Sequence, residues 1–507
     1  MYKRIYLFTL TLVLLLALSS CGTSKQATAY QMAEKPKREF RAAWIQTVWQ
    51  SRYQQMNSAA MKHYFREMVR KLDEAGINTV IFQIRPEADA FYPSTLEPWS
   101  RFLTGRQGEA PDDHSFDPLQ FLITECQQRG MEFHAWLNPY RVKSSLASQL
   151  APNHIYWQHP ERFVTYGNQL FFDPGIPVNR KFITDVVRDI VTRYEVDAIH
   201  MDDYFYPYPI SGEVFPDEGS FRLYGSRQGF ETYQRDDWRR NNVNLLIQEI
   251  KQTIAVTKPW VRFGISPFGI YRNKSSDPKG SNTNGLQNDD DLYADIKLWV
   301  KNGWIDYNLP QLYWETGHPA ADYTTLLNWW SDNNYGAQLY IGQDIKRSLD
   351  KNELHSKIVS TRLQPNVHGN SYWYGYQILE NESGVAQHLK ETIHPTKALV
   401  PAYTHMHHGR PNKIKKLTDV FIDDMHFLTW QKNRKSDNPE SAQKYVIYRF
   451  RKNDKKDINN AAHIVAVTSE NFYVLPHEGG RNRYTYIVTS LDAFNNESKG
   501  AKIKVKL

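Results

Sequence analysis

From Phe40 onward the chain switches between two periods: short runs that are apolar throughout or on alternate residues, and longer stretches whose apolar side chains recur every three or four positions. The first pattern is that of strand, the second that of helix. Strands are predicted over residues 40–48, 79–85 and 132–138, at the start of the stretch 196–206, over 261–267, 305–314 and 338–342, and around 374–378. Helices lie between them. Met61, Tyr64, Phe65, Met68, Leu72 and Ala75 share one helical face that Gly76 terminates. Asp117 and Pro118 supply the N-cap and first turn of a helix carrying Leu119, Leu122, Ile123 and Cys126, which Gly130 ends. Further helices are predicted over 182–194, 242–256, 289–300, 323–330 and 351–363.

Strand and helix alternating eight times predict an α/β fold, a (β/α)₈ TIM barrel with insertions over residues 39–405. A doubly wound open sheet is the competing architecture. No glycine-rich phosphate fingerprint follows the first strand, which argues against its nucleotide-binding form. Connections from helix to next strand are minimal (76–78, 130–131, 195–197, 303–304), whereas those leaving strands are long (86–116, 139–178, 204–236, 268–288). Every large insertion therefore falls on the face at the carboxyl ends of the strands, where barrels build their sites.

Those strand ends are polar. The second finishes on Gln83 and Arg85, the third on His134, Trp136 and Asn138, the fourth on His200, Asp202, Asp203 and Tyr204, the sixth on Gln311, Tyr313, Trp314 and Glu315, and the seventh on Asp344. Polar groups at the ends of buried strands need partners or a function. Alternation puts His200 and Asp202 on one face and Asp203 on the other; the same parity groups Gln83 with Arg85, His134 with Trp136 and Asn138, and Gln311 with Tyr313 and Glu315. Paired carboxyls among aromatic rings suit glycoside hydrolysis, in which one acid protonates the glycosidic oxygen while a second carboxylate acts as nucleophile or base. Asp202 is the first catalytic candidate, with Glu315 as its partner across the rim, Asp344 in reserve and Asp203 as an orienting neighbour. Arg85 and His200 are candidates to hold one carboxylate ionised. Trp44, Trp136, Tyr204, Tyr206, Tyr313 and Trp314 are candidates to stack on sugar, with Asn138, Gln311 and Asp344 as further contacts. Each also has a plain structural explanation: Asp203 as an N-cap or solvated neighbour, Glu315 as a surface acid, Arg85 as a bridge to Glu87 or Asp89, His200 as a core histidine, and the indoles as packing.

Composition adds four points. At 507 residues the chain exceeds one core. From about Lys413 the pattern changes to short alternating segments with polar turns, predicting a small all-β sandwich over 413–507. The 14 Trp and 31 Tyr are more than packing usually requires and fit a sugar-binding surface. At the N-terminus, Lys3 and Arg4 precede an apolar stretch over 5–18 that is too short to be a comfortable membrane span, followed by Leu18-Ser19-Ser20-Cys21. That end resembles a bacterial lipoprotein signal peptide over 1–20, which implies lipid on Cys21, a tether over 21–38 and a location in the cell envelope, on a bacterial membrane. Cys126 would then be the only cysteine left besides the lipid-bearing one, excluding an intramolecular disulfide and a cysteine-based metal site. The His405-Met406-His407-His408 cluster suggests zinc by residue type, but it lacks a spaced acid or cysteine pattern, and no metal or cofactor is expected. The net charge of +7, with Lys413, Lys415, Lys416, Arg449, Arg451, Lys452, Lys455 and Lys456 contributing, fits a solvated surface or an anionic polymer; nucleic acid is not an expected partner of an envelope protein.

The stretches Phe40-Arg41-Ala42-Ala43-Trp44, Phe91-Tyr92-Pro93-Ser94 with Glu97-Pro98-Trp99-Ser100, Phe116-Asp117-Pro118-Leu119, residues 134–141, residues 199–207, Ile265-Ser266-Pro267-Phe268-Gly269 and residues 309–314 resemble the family 10-like glycosyl hydrolases. The resemblance covers about residues 38–400 and implies a barrel glycosidase of the bacterial envelope, some of whose relatives are linked to cleavage of peptidoglycan strands stripped of peptide. It carries over no catalytic residue. The segments 444–449 and 484–492 resemble a fibronectin type III domain. Three functions stand at this point: an envelope glycosidase on peptidoglycan-type glycan, a glycosidase on dietary or capsular polysaccharide, and a non-catalytic glycan-binding lipoprotein.

Overall fold

A computed structural model describes residues 35–403, 405–407, 409–431 and 438–507. The expected leader 1–20, Cys21, residues 22–34 of the expected tether and His408 lie outside the described residues. Eight parallel strands close on themselves in sequence order: β1 (Phe40–Ile45), β2 (Thr79–Arg85), β3 (Glu132–Leu137), β4 (Ala198–Met201), β5 (Arg262–Ile265), β6 (Tyr307–Asn308), β7 (Gln338–Asp344) and β8 (Val367–Trp373), the last pairing with the first. This is the expected (β/α)₈ barrel. Side chains such as Phe82, Phe133, Ile199 and Phe263 point outward to the helices, while Phe40, Trp44, Trp136, Tyr307 and Tyr340 fill the interior.

Three elements differ from expectation. The eighth strand lies earlier, at Val367–Trp373, and residues 375–379 are helical. Its character is hidden because Asn370 and Ser371 occupy fully buried positions; Asn370 is satisfied by Gln343 Nε2 at 2.9 Å and Thr361 Oγ1 at 2.9 Å. The helix expected over 289–300 is two, Asn288–Asp291 and Ile296–Lys301, separated by Tyr293 at φ 58°. The sixth strand is ladder-paired only at Tyr307–Asn308 rather than over 305–314.

A hydrogen-bonded column runs along the barrel interior, and its polarity follows from its ends. Trp44 Nε1 can only donate, and it donates to His200 Nε2 at 3.2 Å, leaving that nitrogen bare. The proton of His200 is then on Nδ1, donated to Tyr307 Oη at 2.9 Å; the Tyr307 hydroxyl donates to His134 Nδ1 at 2.9 Å, and His134 Nε2 donates to Glu132 at 3.1 Å. Burial alone would raise the Glu132 pKa, but Arg262 and Lys444 hold it well below the ordinary range, so the column ends on a carboxylate. Burial, reinforced by His134, keeps His200 neutral. Tyr307 needs the space beside β5: a Cβ on Gly264 would lie 1.9 Å from its ring.

Among the described residues the C-terminal unit is a sandwich of seven strands, β9 (Thr418–Ile422), β10 (Met425–Thr429), β11 (Lys444–Arg451), β12 (Ile464–Thr468), β13 (Phe472–Val474), β14 (Arg483–Leu491) and β15 (Ala501–Lys506). They form sheets β9-β10-β13 and β12-β11-β14-β15. The unit seals the amino-terminal end of the barrel. Asn495 Nδ2 donates to Glu132 at 2.9 Å, Thr468 Oγ1 donates to the Gln128 carbonyl at 3.1 Å, and Phe494 joins the interior cluster of Phe40 and Tyr340. The opposite end stays open. Cys126 is a buried free thiol on the helix Pro118–Gln128.

Gly264→Ala is expected to destabilise the full chain by about 2 kcal/mol or more through overpacking. Tyr307→Phe, which strands two buried imidazole nitrogens, should cost about 1–3 kcal/mol. Urea denaturation checks both, and an unchanged midpoint for either would refute this account of the column.

Candidate active site

The open end holds a cavity of about 310 Å³. β1 contributes Trp44, β2 Gln83 and β3 Trp136, while the segments after β4, β5 and β6 contribute Asp202, Asp203 and Tyr204, then Ser266, then Gln311 and Tyr313. Trp373 and Tyr374 close the ring from β8, and Trp49 and Arg141 from the rim. β4 ends at Met201, so strand parity lapses beyond it and both acids face the cavity.

Their surroundings are opposite in kind. Gln83 Oε1 accepts from the backbone N–H groups of Thr47 at 2.8 Å and Val48 at 2.9 Å, and main-chain N–H can only donate. The Gln83 amide is thereby oriented, and its Nε2 donates to Asn138 Oδ1 at 2.6 Å. Arg141 Nη2 donates to the same oxygen at 2.8 Å. Asn138 Nδ2 must then face away, and it donates to both oxygens of Asp202 at 2.8 Å. Burial leaves the Asp202 pKa above the ordinary carboxylate value, although Arg141, Asn138, the Tyr204 N–H and the Trp136 indole oppose the rise. Asp203 accepts a short bond from the Tyr208 hydroxyl; burial and then the charge of Asp202 push it up to about 7. Two like charges so close do not both ionise readily. The donors select Asp202 as the carboxylate and leave the proton on Asp203.

Around the acids, Trp136 and Trp373 meet edge-on at 6.2 Å and Trp44 and Trp373 at 6.4 Å. Gln311 Nε2 is anchored on the Ser266 carbonyl at 2.9 Å. The Arg141 guanidinium stacks 5.5 Å from the Tyr204 ring and 5.9 Å from Trp49. A protonated acid, a carboxylate, fixed amides and ring faces together can protonate a leaving oxygen, stabilise positive charge and stack on a sugar.

Of the residues singled out from sequence, Trp44, Asp202, Asp203, Trp136, Tyr204, Gln311 and Tyr313 share this cavity, and Asn138 stands directly behind Asp202. Six other candidates do not line it. Tyr206 is buried and packs edge-on against Phe215 at 5.1 Å. Glu315 is part-exposed and sits 3.7 Å from Lys351, beyond the reach of strand parity because β6 ends at Asn308. Arg85 is fully buried, bidentate to Glu97 and bonded to the Asn138 and Pro139 carbonyls; a register shift between Gln83 and Arg85 turns it away. Trp314 packs edge-on against Phe268 at 5.4 Å. Asp344 caps the helix Ile345–Asp350 through the Arg347 N–H at 2.8 Å. His200 lies beneath the floor in the interior column, 2.9 Å from Ser266 Oγ. Sequence reasoning passed over Arg141, Trp49, Ser266, Trp373 and Tyr374; the first and third stand in the quoted motifs, and the last two were hidden by the displaced eighth strand. In the histidine cluster, His405 lies 3.8 Å from Asp306 and His407 3.8 Å from Glu440, and no group of three or more metal-ligating side chains occurs among the described residues.

A family model described as "Glycosyl hydrolase-like 10" matches residues 39–357. The chain belongs to this family. It is a glycoside hydrolase. Among curated relatives, the "Glycosyl hydrolase YngK" of Bacillus subtilis is 39% identical over 503 residues, covering 96% of this chain and 97% of that protein. The "Glycosyl hydrolase DigH" of Escherichia coli K12 is 38% identical over 343 residues, covering 63% and 75%. Among solved structures, the PgaB (BpsB) glycoside hydrolase domain of Bordetella bronchiseptica aligns with a TM-score of 0.48 at 9% identity, over 70% of this chain and 99% of that one.

If Asp203 is the proton donor, glycan cleavage should fall as pH rises through about 7, where its proton is lost. Because the pair titrates jointly, the limb belongs to both acids. A kcat/KM profile that stays level to pH 9 would remove Asp203 from that role.

Proposed function

We propose that this glycoside hydrolase is an envelope lipoprotein that cleaves peptidoglycan-type glycan stripped of its peptides, with Asp203 as general acid and Asp202 as its ionised partner. The observation that carries the chemistry is the adjacent acid pair in an aromatic-lined cavity, Asp202 facing the Asn138 amide and Asp203 facing the Tyr208 hydroxyl. The Glu315 partnership is dropped on its position outside that cavity. Arg141, a guanidinium in the cavity wall, supports the glycan class, because denuded strands carry a lactyl carboxylate on alternate sugars.

The envelope location rests on Lys3, Arg4, the apolar stretch 5–18 and Leu18-Ser19-Ser20-Cys21. Lipid on Cys21 would be the anchor, on a periplasmic or surface face of a membrane that we take to be the outer one. No helix among the described residues is long and apolar enough to cross a membrane. The three-plus-four division of strands supports a fibronectin type III-like reading of residues 413–507. Seated at the far end from the cavity, that unit serves as a spacer or as a contact for an anionic polymer.

Denuded glycan strands incubated with the full chain should release reducing ends, identified by mass spectrometry. Asp202→Asn and Asp203→Asn should each lower the rate by ~10²–10⁴-fold with the fold retained, and Glu315→Gln should leave it unchanged. Wild-type rates in both Asp variants would reject the assignment. Cleavage of dietary or capsular polysaccharides but not of denuded strands would select the second substrate class. Intact-mass analysis of protein from membranes should find lipid on Cys21, and Cys21→Ser should release the chain to the soluble fraction; an unmodified Cys21 would reject the anchor.

A further inference from the structure

The two acids come from neighbouring positions on one side of the cavity, and this constrains the nucleophile. Glycosidases that use two protein carboxyls place them on either side of the scissile bond, about 5–5.5 Å apart for retention and about 6.5–9.5 Å for inversion. In an eight-stranded barrel the strand facing β4 is β8, and β8 contributes Trp373 and Tyr374. Among the described residues, Asp202 and Asp203 alone bring carboxyls to the cavity wall. With Asp203 beside the leaving oxygen, Asp202 is on the same side as the acid and is poorly placed for attack from the opposite face of the sugar.

Two features beside Asp202 indicate what it holds instead. Its carboxylate is fixed in the ionised, accepting state by Asn138. Trp136, 5% exposed, lines the cavity with its indole N–H turned toward Asp202, close enough to lower that carboxyl's pKa but without a hydrogen bond of good geometry. With Trp44 and Trp373 it forms an apolar corner of indole rings. A carboxylate acceptor, a neighbouring indole N–H held by no well-formed hydrogen bond, and an apolar corner match the N–H, the carbonyl and the methyl of an acetamido group.

Resting on the glycosidase assignment of this cavity, we infer that it takes 2-acetamido-2-deoxy sugars and that the substrate's own acetamido carbonyl is the nucleophile, with Asp202 receiving the amide N–H and Asp203 protonating the leaving oxygen. In the first step the carbonyl oxygen bonds to the anomeric carbon, the bond to the glycosidic oxygen breaks, and that oxygen takes the Asp203 proton. The cyclic oxazolinium cation that forms keeps its N–H on the Asp202 carboxylate. In the second step water attacks the anomeric carbon and gives its proton to Asp203, the ring opens and the acetamide is restored. The net reaction is hydrolysis with retained configuration, and no redox partner is involved.

The test compares denuded glycan strands with the same strands after N-deacetylation and re-acylation with trifluoroacetyl groups, using the wild-type full chain. A trifluoroacetyl carbonyl is a weak nucleophile of almost unchanged shape, so kcat should fall about a hundredfold or more with KM within a few-fold. Nuclear magnetic resonance of the first product should show retained anomeric configuration. Equal rates on the two strands, or an inverted product, would overturn this inference while leaving peptidoglycan-type glycan as the substrate. Cleavage of 2-hydroxy polysaccharides with none of the acetylated strands would overturn both.

Discussion

The site depends on a pair of backbone N–H groups. Thr47 and Val48, just past the end of β1, can only donate, and they fix which way the Gln83 amide faces. Gln83 fixes Asn138, and Asn138 then has only N–H to offer Asp202. Reversing either amide would set donor against donor in a buried place, at a cost on the order of a lost hydrogen bond plus desolvation. Three adjacent strand ends therefore transmit a direction from the main chain to a carboxylate. Without it, two buried acids side by side could share a proton either way; with it, they become distinct chemical groups.

The barrel interior repeats the device further down. Trp44 at the cavity and Glu132 at the sealed end are a pure donor and a carboxylate acceptor, and everything between them takes its tautomer from those two. Arg262, Lys444 and Asn495 gather on Glu132, so the C-terminal sandwich completes the charge balance of the barrel's closed end. The open end owes its accessibility to the same arrangement: the sandwich occupies the side where the connecting turns are short, and the long insertions are left free to wall the cavity.

Much of this was legible in the chain because the strands are regular where it mattered. Alternation along β3 and β4 placed His134, Trp136 and His200 inward, and long loops after strands marked the functional face. Legibility ended where regularity did. A register shift in β2 redirects Arg85 to Glu97, and β6 is too short to extend parity to Glu315. β8 escaped because its buried positions carry the polar Asn370 and Ser371, and Asn370 is satisfied by Gln343 and Thr361 of neighbouring elements. The preference between the two acids was likewise unreadable, since it resides in the orientation of the Gln83 and Asn138 amides rather than in any pattern of residue types.

The partners of the two acids also differ in what they can tolerate. Asn138 Nδ2 only donates, so it suits Asp202 while that group stays ionised, as a group that stabilises cationic charge must throughout a turnover. The Tyr208 hydroxyl both donates and accepts, so it can face Asp203 as an acid or as a carboxylate by rotating one O–H bond. Asp202 is gripped through three strand ends, whereas Asp203 is met by a side chain of the long 204–236 loop. The group whose charge must alternate is thus paired with a donor able to follow it, and the group whose charge must persist is tied to the rigid sheet.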